Sequence, residues 1–240
     1  MTGTLINTAA VLAGSGIGLA VGAHLPKRIN DSVMLGLGFV TLTMGVAQAV
    51  PAFNDGKLMV TPAALILGVV IGELLRLHGR LESVAEYLRK KFRSEHGDFI
   101  TGFVTASLLF CVGPLTLLGA TFEGVGNPQG LRYLLLKSAL DFFASIALAS
   151  TFGMGVLASA LFVLVFQGAL TLLGFLAGDV LTPAMQLEMV GVGGLMLLGL
   201  SLVLFGLKRS EEVRVINFLP GVLLAPVLVL VFDLVMRLIQ

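Results

Sequence analysis

The chain has 240 residues, 57% of them hydrophobic and only 12% charged, about half the charged share of a soluble domain. The mean hydropathy is +1.01 and the charges fall between apolar runs, so a net charge of +1 points to no acidic or basic partner. A single cysteine, Cys111, excludes an internal disulfide framework and a multi-cysteine metal site.

Apolar runs follow one another near residues 4–23, 32–50, 60–77, 99–120, 133–152, 156–177, 185–206 and 215–236. Each is long enough to cross hydrocarbon about 30 Å thick at about 1.5 Å per residue. The fold class expected is therefore an all-α polytopic transmembrane bundle of about eight spans, forming one membrane domain over 1–240. No basic residue precedes Lys27, so the first run lacks the charged start of a secretory signal and reads as a retained span. Residues 133–177 are too long for one crossing, and Gly153-Met154-Gly155 is the place to turn.

The loops test this count. Lys27 and Arg28 follow the first span, Arg80, Arg89, Lys90, Lys91 and Arg93 the third, and Lys208, Arg209 and Arg214 the seventh. Eight spans put all three loops on one side, leaving Lys57, Arg132 and Arg237 on the other. The positive-inside rule makes the basic side cytoplasmic and both termini extracytoplasmic. Fusing the fifth and sixth spans would separate the basic loops, which argues against a seven-span chain.

In the third loop, Leu77, Leu81, Val84, Leu88 and Phe92 recur at helical spacing among charged residues. That predicts an amphipathic helix over 78–94, lying either among headgroups or across the ends of the bundle. One such stretch beside a membrane is explained by orientation and anionic lipid, so no nucleic-acid partner is expected.

Spans one to three and six to eight share spaced landmarks. Gly18 and Gly22 parallel Gly174 and Gly178, Gly36-Leu37-Gly38 parallels Gly191-Val192-Gly193, and Pro62 parallels Pro220. The two triplets enter from opposite sides, as in transporters built from inverted repeats. Small residues are common in any membrane bundle, so chance similarity competes with this reading.

Few polar residues lie at membrane depth: Asn7, Thr105, Ser107, Lys137, Asp141 and Gln167. Glu73, Glu188 and Asn217 fall nearer span ends, within reach of water. A charge at the bilayer centre costs roughly 2.5–3.5 kcal/mol on insertion scales and is usually turned inward and paired. Lys137 and Asp141, four residues apart, can meet on one helix face. Either the lysine snorkels and the pair is structural, or Asp141, the deeper of the two, serves a pathway. Phe110-Cys111-Val112-Gly113-Pro114 is the second landmark. Proline removes a backbone donor, so Gly113 and Pro114 mark a helix break that a membrane tolerates only where protein or a wet cavity satisfies it; an ordinary packing kink is the plainer reading. His24, His78 and His96 lie in or beside loops and assemble neither a catalytic triad nor a zinc site.

GTLINTAAVLAGSGIG at the start, FVTASLLFCVGP, KSALDFFASIALASTFGMGVLASA and FQGALTLL resemble the bacterial integral-membrane family catalogued as domain of unknown function 554. The resemblance implies a multi-pass protein of the bacterial inner membrane and brings no substrate. The family pattern puts glycine after the Leu-Asp of the fifth span. Phe142 stands there in this chain, so a tight contact is expected to be lost.

The leading expectation is a transporter or channel for a small solute or ion, with Asp141, Lys137, Ser107, Asn7 and Gln167 along its pathway. The alternative is a non-transporting scaffold or lipid-binding assembly partner, built as a homo-oligomer through its small residues. An intramembrane enzyme, needing Asp141 and Ser107 together, ranks third. Membrane lipids are the expected partners, and no cofactor or metal is expected.

Overall fold

A computed structural model describes residues 1–22, 26–54, 58–92, 99–177 and 180–239. His24, Lys57, Arg93, His96 and Gly178 lie outside the described residues. The apolar runs form helices: α1 (Thr2–Gly22), α2 (Lys27–Asn54), α3 (Val60–Leu74), α4 (Leu77–Lys91), α5 (Phe99–Cys111), α6 (Pro114–Val125), α7 (Pro128–Phe152), α8 (Met154–Ala177), α9 (Pro183–Leu204), the short α10 (Ser210–Val213) and α11 (Leu219–Ile239). A 3-10 turn, Val215–Phe218, leads into α11.

Six helices are long and apolar enough to cross a membrane, and two bent pairs, α3 with α4 and α5 with α6, raise the count to as many as eight. The contacts at the helix ends decide how they run. At one end the loop after α3 meets the loop after α9: Arg214 pairs with Glu73 at 3.3 Å, and the His78 amide donates to Asn217 at 2.8 Å. At the other end, Gly3 of α1 donates to Glu123 of α6 at 2.7 Å. The third and seventh loops therefore share a side, as eight crossings with α5–α6 as one broken span require.

Helix starts follow local chemistry. Asn127 caps α7 by accepting from the Gln129 amide at 2.9 Å, and Thr182 caps α9 through the Met185 amide at 3.3 Å, each with proline at the first helical position. The turn between α7 and α8 falls at Gly153, whose φ of 71° and ψ of −143° disfavour any side chain.

Small residues fix the neighbours. Gly14, Gly18 and Gly22, one turn apart on α1, lie against the backbone of Phe142, Ile146 and Ser150 on α7, where a Cβ would overlap carbonyl groups. The close approach at Phe142 is thus kept from the α1 side, although α7 itself lacks a glycine there. Gly124 of α6 and Gly174 of α8 interlock in the same way. The helices α2 and α9 meet where Gly45 faces Gly194, and α3 meets α11 where Gly68 faces Gly221. The inner layer is α5 and α9: Phe99, Phe103, Phe110, Met196 and Leu200 are buried, while Leu136, Phe143, Val165 and Phe175 face outward, where lipid accepts them.

The expected amphipathic helix is α4, and the choice between its two placements is settled by burial. His78, Leu81, Ala85 and Leu88 are covered by the bundle end, whereas Val84 and Phe92, expected on the same face, are largely exposed. Only the Leu81 and Leu88 part of its apolar stripe is covered by protein.

Candidate functional site

Three helices converge on one polar cluster inside the apolar bundle. From α7, Lys137 and Asp141 project inward one turn apart and form an ion pair, at 5% and 7% exposure. From α1, fully buried Asn7 donates to Asp141 Oδ2 at 3.1 Å and to Gln167 Oε1 of α8 at 3.0 Å. The Lys137 ammonium also stands 6.0 Å from the Phe110 ring centroid of α5. Four of the five expected pathway residues are therefore neighbours. Their burial with opposite charges and amide partners is the arrangement that makes ionised groups tolerable away from water.

Ser107 is not brought into this cluster. It is fully buried on α5, and its hydroxyl finds no hydrogen-bond partner among the described residues. Asn7 Oδ1 and Gln167 Nε2 are likewise unpartnered and enclosed, which leaves the cluster with unused capacity on its α1 and α8 side.

The helix break lies against the same place. Two residues past the end of α5 the backbone is extended, Gly113 at φ −172° and ψ 156°, and the two helices diverge by 58°. The partner of the Phe110 carbonyl in an unbroken helix would be residue 114, a proline without an amide hydrogen. The Thr116 hydroxyl replaces it, donating to Phe110 O at 3.1 Å, and the Thr116 and Leu117 amides turn back to Gly113 O at 3.1 and 3.0 Å. Protein groups thus satisfy the opened backbone, as a bilayer interior demands.

A cavity of about 290 Å³ joins the two features. Val40 and Thr41 of α2, Val112 and Gly113 at the break, Thr116 of α6, Leu197 of α9, and Lys137, Leu140, Asp141 and Phe143 of α7 line it. The carboxylate is paired, yet it borders a void, and that void is walled by the broken helix.

Sequence reasoning missed Thr41 and Thr116. Threonines abound in membrane helices and usually bond back to their own turn, so only the fold singles these out. Glu188 is a second departure: expected within reach of water, it is fully buried on α9 and accepts from the Thr61 hydroxyl of α3. Asn217, placed with it, is also buried. Both lie near span ends, but α3 covers one and α4 the other. Among the described residues no group of three or more His, Cys, Asp or Glu side chains is placed to hold a metal ion. Cys111 is buried.

The fold and this site define a multi-pass integral membrane protein with a buried, amide-supported ion pair beside a broken helix. The family model described as protein of unknown function DUF554 matches residues 2–230, and the chain belongs to that family. It is 30% identical to the uncharacterised membrane protein YdfK of Bacillus subtilis (strain 168), over 96% of each chain. It is 32% identical to the uncharacterised protein YqgA of Escherichia coli (strain K12), over 93% of this chain and 94% of that one. No solved structure matches.

Proposed function

We propose that the protein passes a small solute or ion across the bacterial inner membrane, with Asp141 as the group that engages it. The observation that carries this reading is the shared cavity: Asp141 and Lys137 border the same void as Gly113. A broken helix supplies a wall that can rearrange without losing a full ladder of hydrogen bonds, and a buried carboxylate supplies a group whose partner can change. Asn7, itself held by Gln167, supports the carboxylate from behind. The packing of α2 on α9 and of α3 on α11 supports the expected relation for two of the three span pairs, while α1 packs chiefly on α7. In this reading the basic loops are cytoplasmic and both termini extracytoplasmic.

The test is flux in proteoliposomes, read as proton entry with an internal pH dye and as solute entry by light-scattering recovery after osmotic shock. The wild-type chain is expected to carry flux that Asp141→Asn abolishes while the variant still elutes as a folded, monodisperse protein. Equal flux in the folded variant would remove Asp141 from the pathway.

A further inference from the structure

The cavity opens between α2 and α7, on an apolar flank. Its rim residues Val40, Leu140 and Phe143 are 56%, 54% and 68% exposed on the flank between α2 and α7, at the level of an apolar belt that faces hydrocarbon. Its floor holds Lys137, Asp141, Thr41 and Thr116, all at least nine-tenths buried. The two charges are therefore within reach of the bilayer through this apolar mouth.

The floor also has a defined unused capacity. Every hydrogen bond made by the Asp141 carboxylate uses Oδ2, which takes both Lys137 and Asn7. Among the described residues Oδ1 takes no donor, and it is not one of the enclosed, unpartnered polar atoms. The Lys137 ammonium has three hydrogens and spends one on Asp141. A free acceptor therefore lies beside free cationic donors, one helical turn apart, under an apolar mouth.

We infer that the cavity binds a phospholipid whose head carries a primary ammonium next to a phosphate, with the ammonium on Asp141 Oδ1 and the phosphate on Lys137. A quaternary ammonium has no hydrogen to give Oδ1. A purely anionic head offers Oδ1 only neutral hydroxyls and sets its own charge against the carboxylate. About 290 Å³ accommodates the head, while the acyl chains stay in the bilayer along Leu140 and Phe143. The inference goes beyond the proposed function: the lipid is a ligand of the same cavity, distinct from the small solute or ion that crosses.

The chain contains no tryptophan, so Phe143→Trp gives a single reporter at the mouth and Leu161→Trp, on the exposed flank of α8, a reporter away from it. Each is reconstituted in phosphatidylcholine containing a small fraction of lipid with brominated acyl chains, which quench tryptophan on contact. Brominated phosphatidylethanolamine is expected to be enriched about tenfold at the Phe143→Trp reporter over its bulk fraction, the worth of one hydrogen bond to a charged group. Brominated phosphatidylcholine and phosphatidylglycerol are expected to show no enrichment there, and no lipid any at Leu161→Trp. Adding Asp141→Asn is expected to abolish the excess. Equal quenching by the three lipids at the mouth, a comparison made with the charge pair intact, would overturn the inference, and so would a preference for phosphatidylglycerol. Selective quenching without flux in any liposome would keep the lipid site and discard transport. Asp141-dependent flux without selective quenching would do the reverse.

Discussion

Asn7 donates to Asp141 across 3.1 Å although 134 positions separate them in the chain, so the first helix closes the polar cluster that the seventh carries. The ion pair on α7 is therefore supported from outside its own helix, and its energetics should show that support.

Removing one partner of a buried pair strands the other charge. Asp141→Ala is expected to destabilise by about 3–5 kcal/mol, whereas the double change Lys137→Met with Asp141→Leu should fall near neutral. Thermal unfolding in detergent distinguishes the two. A double variant as unstable as the single one would show that the pair contributes through more than mutual neutralisation.

On α1 the glycines are not equivalent. Gly14 lies against Phe142 and Ser145, while a Cβ at Gly16 meets nothing within 4 Å. Gly14→Ala is expected to cost about 1–3 kcal/mol through overpacking, and Gly16→Ala to stabilise by up to about 1 kcal/mol through helix propensity. Unfolding midpoints for the two variants should move in opposite directions.

At the break, Thr116→Val keeps the shape of the side chain and deletes the donor to the Phe110 carbonyl. A buried carbonyl left without a partner costs about 1–3 kcal/mol. Faster amide exchange confined to residues around 108–117 should accompany the loss. A global change with no local exchange signature would place the effect elsewhere.

The contact between Arg214 and Glu73 places two loops on one face. Single cysteines at Lys90, Lys208 and Arg214 are expected to react alike with a membrane-impermeant maleimide, and oppositely to one at Gln129. Under the positive-inside orientation, intact cells protect the first three. Split behaviour among those three would contradict the eight crossings.

Outside the membrane, hydrogen bonds from Lys208 and from the Arg209 amide hold the Glu212 carboxyl below its ordinary range. A depressed carboxylate gives stability above its unfolded value and loses it as pH falls through the folded one. Acidification below the usual carboxylate range should therefore loosen the turn between α9 and α10. Amide exchange at residues 208–213 should rise there, and Glu212→Gln should remove the pH dependence.

Local chemistry was legible in the sequence wherever one helix suffices to express it. Lys137 and Asp141 lie four apart, so their meeting follows from helix geometry, and Pro114 announces the break because it lacks a donor. Which helices touch is another matter. Asn7 could be placed at membrane depth, but only the glycine face of α1, packed on α7, brings it to Asp141. Glu188 was misjudged for the same reason: distance along a span says how far water is, not whether Thr61 of another helix stands in the way. Ser107, chosen for its place two turns before the proline, is buried on α5 without a partner among the described residues, because spacing to a helix break does not fix which neighbouring helix a side chain meets.

The glycine seam between α1 and α7 bears on biogenesis. Ribosomes deliver α1 early and α7 only after the broken span has been inserted, so for that interval Asn7 and the narrow face around it have no seam to close. Until α7 arrives, translocon or lipid must shelter an amide whose eventual partner has not been made. The polar heart of this protein is consequently among the last parts to assemble.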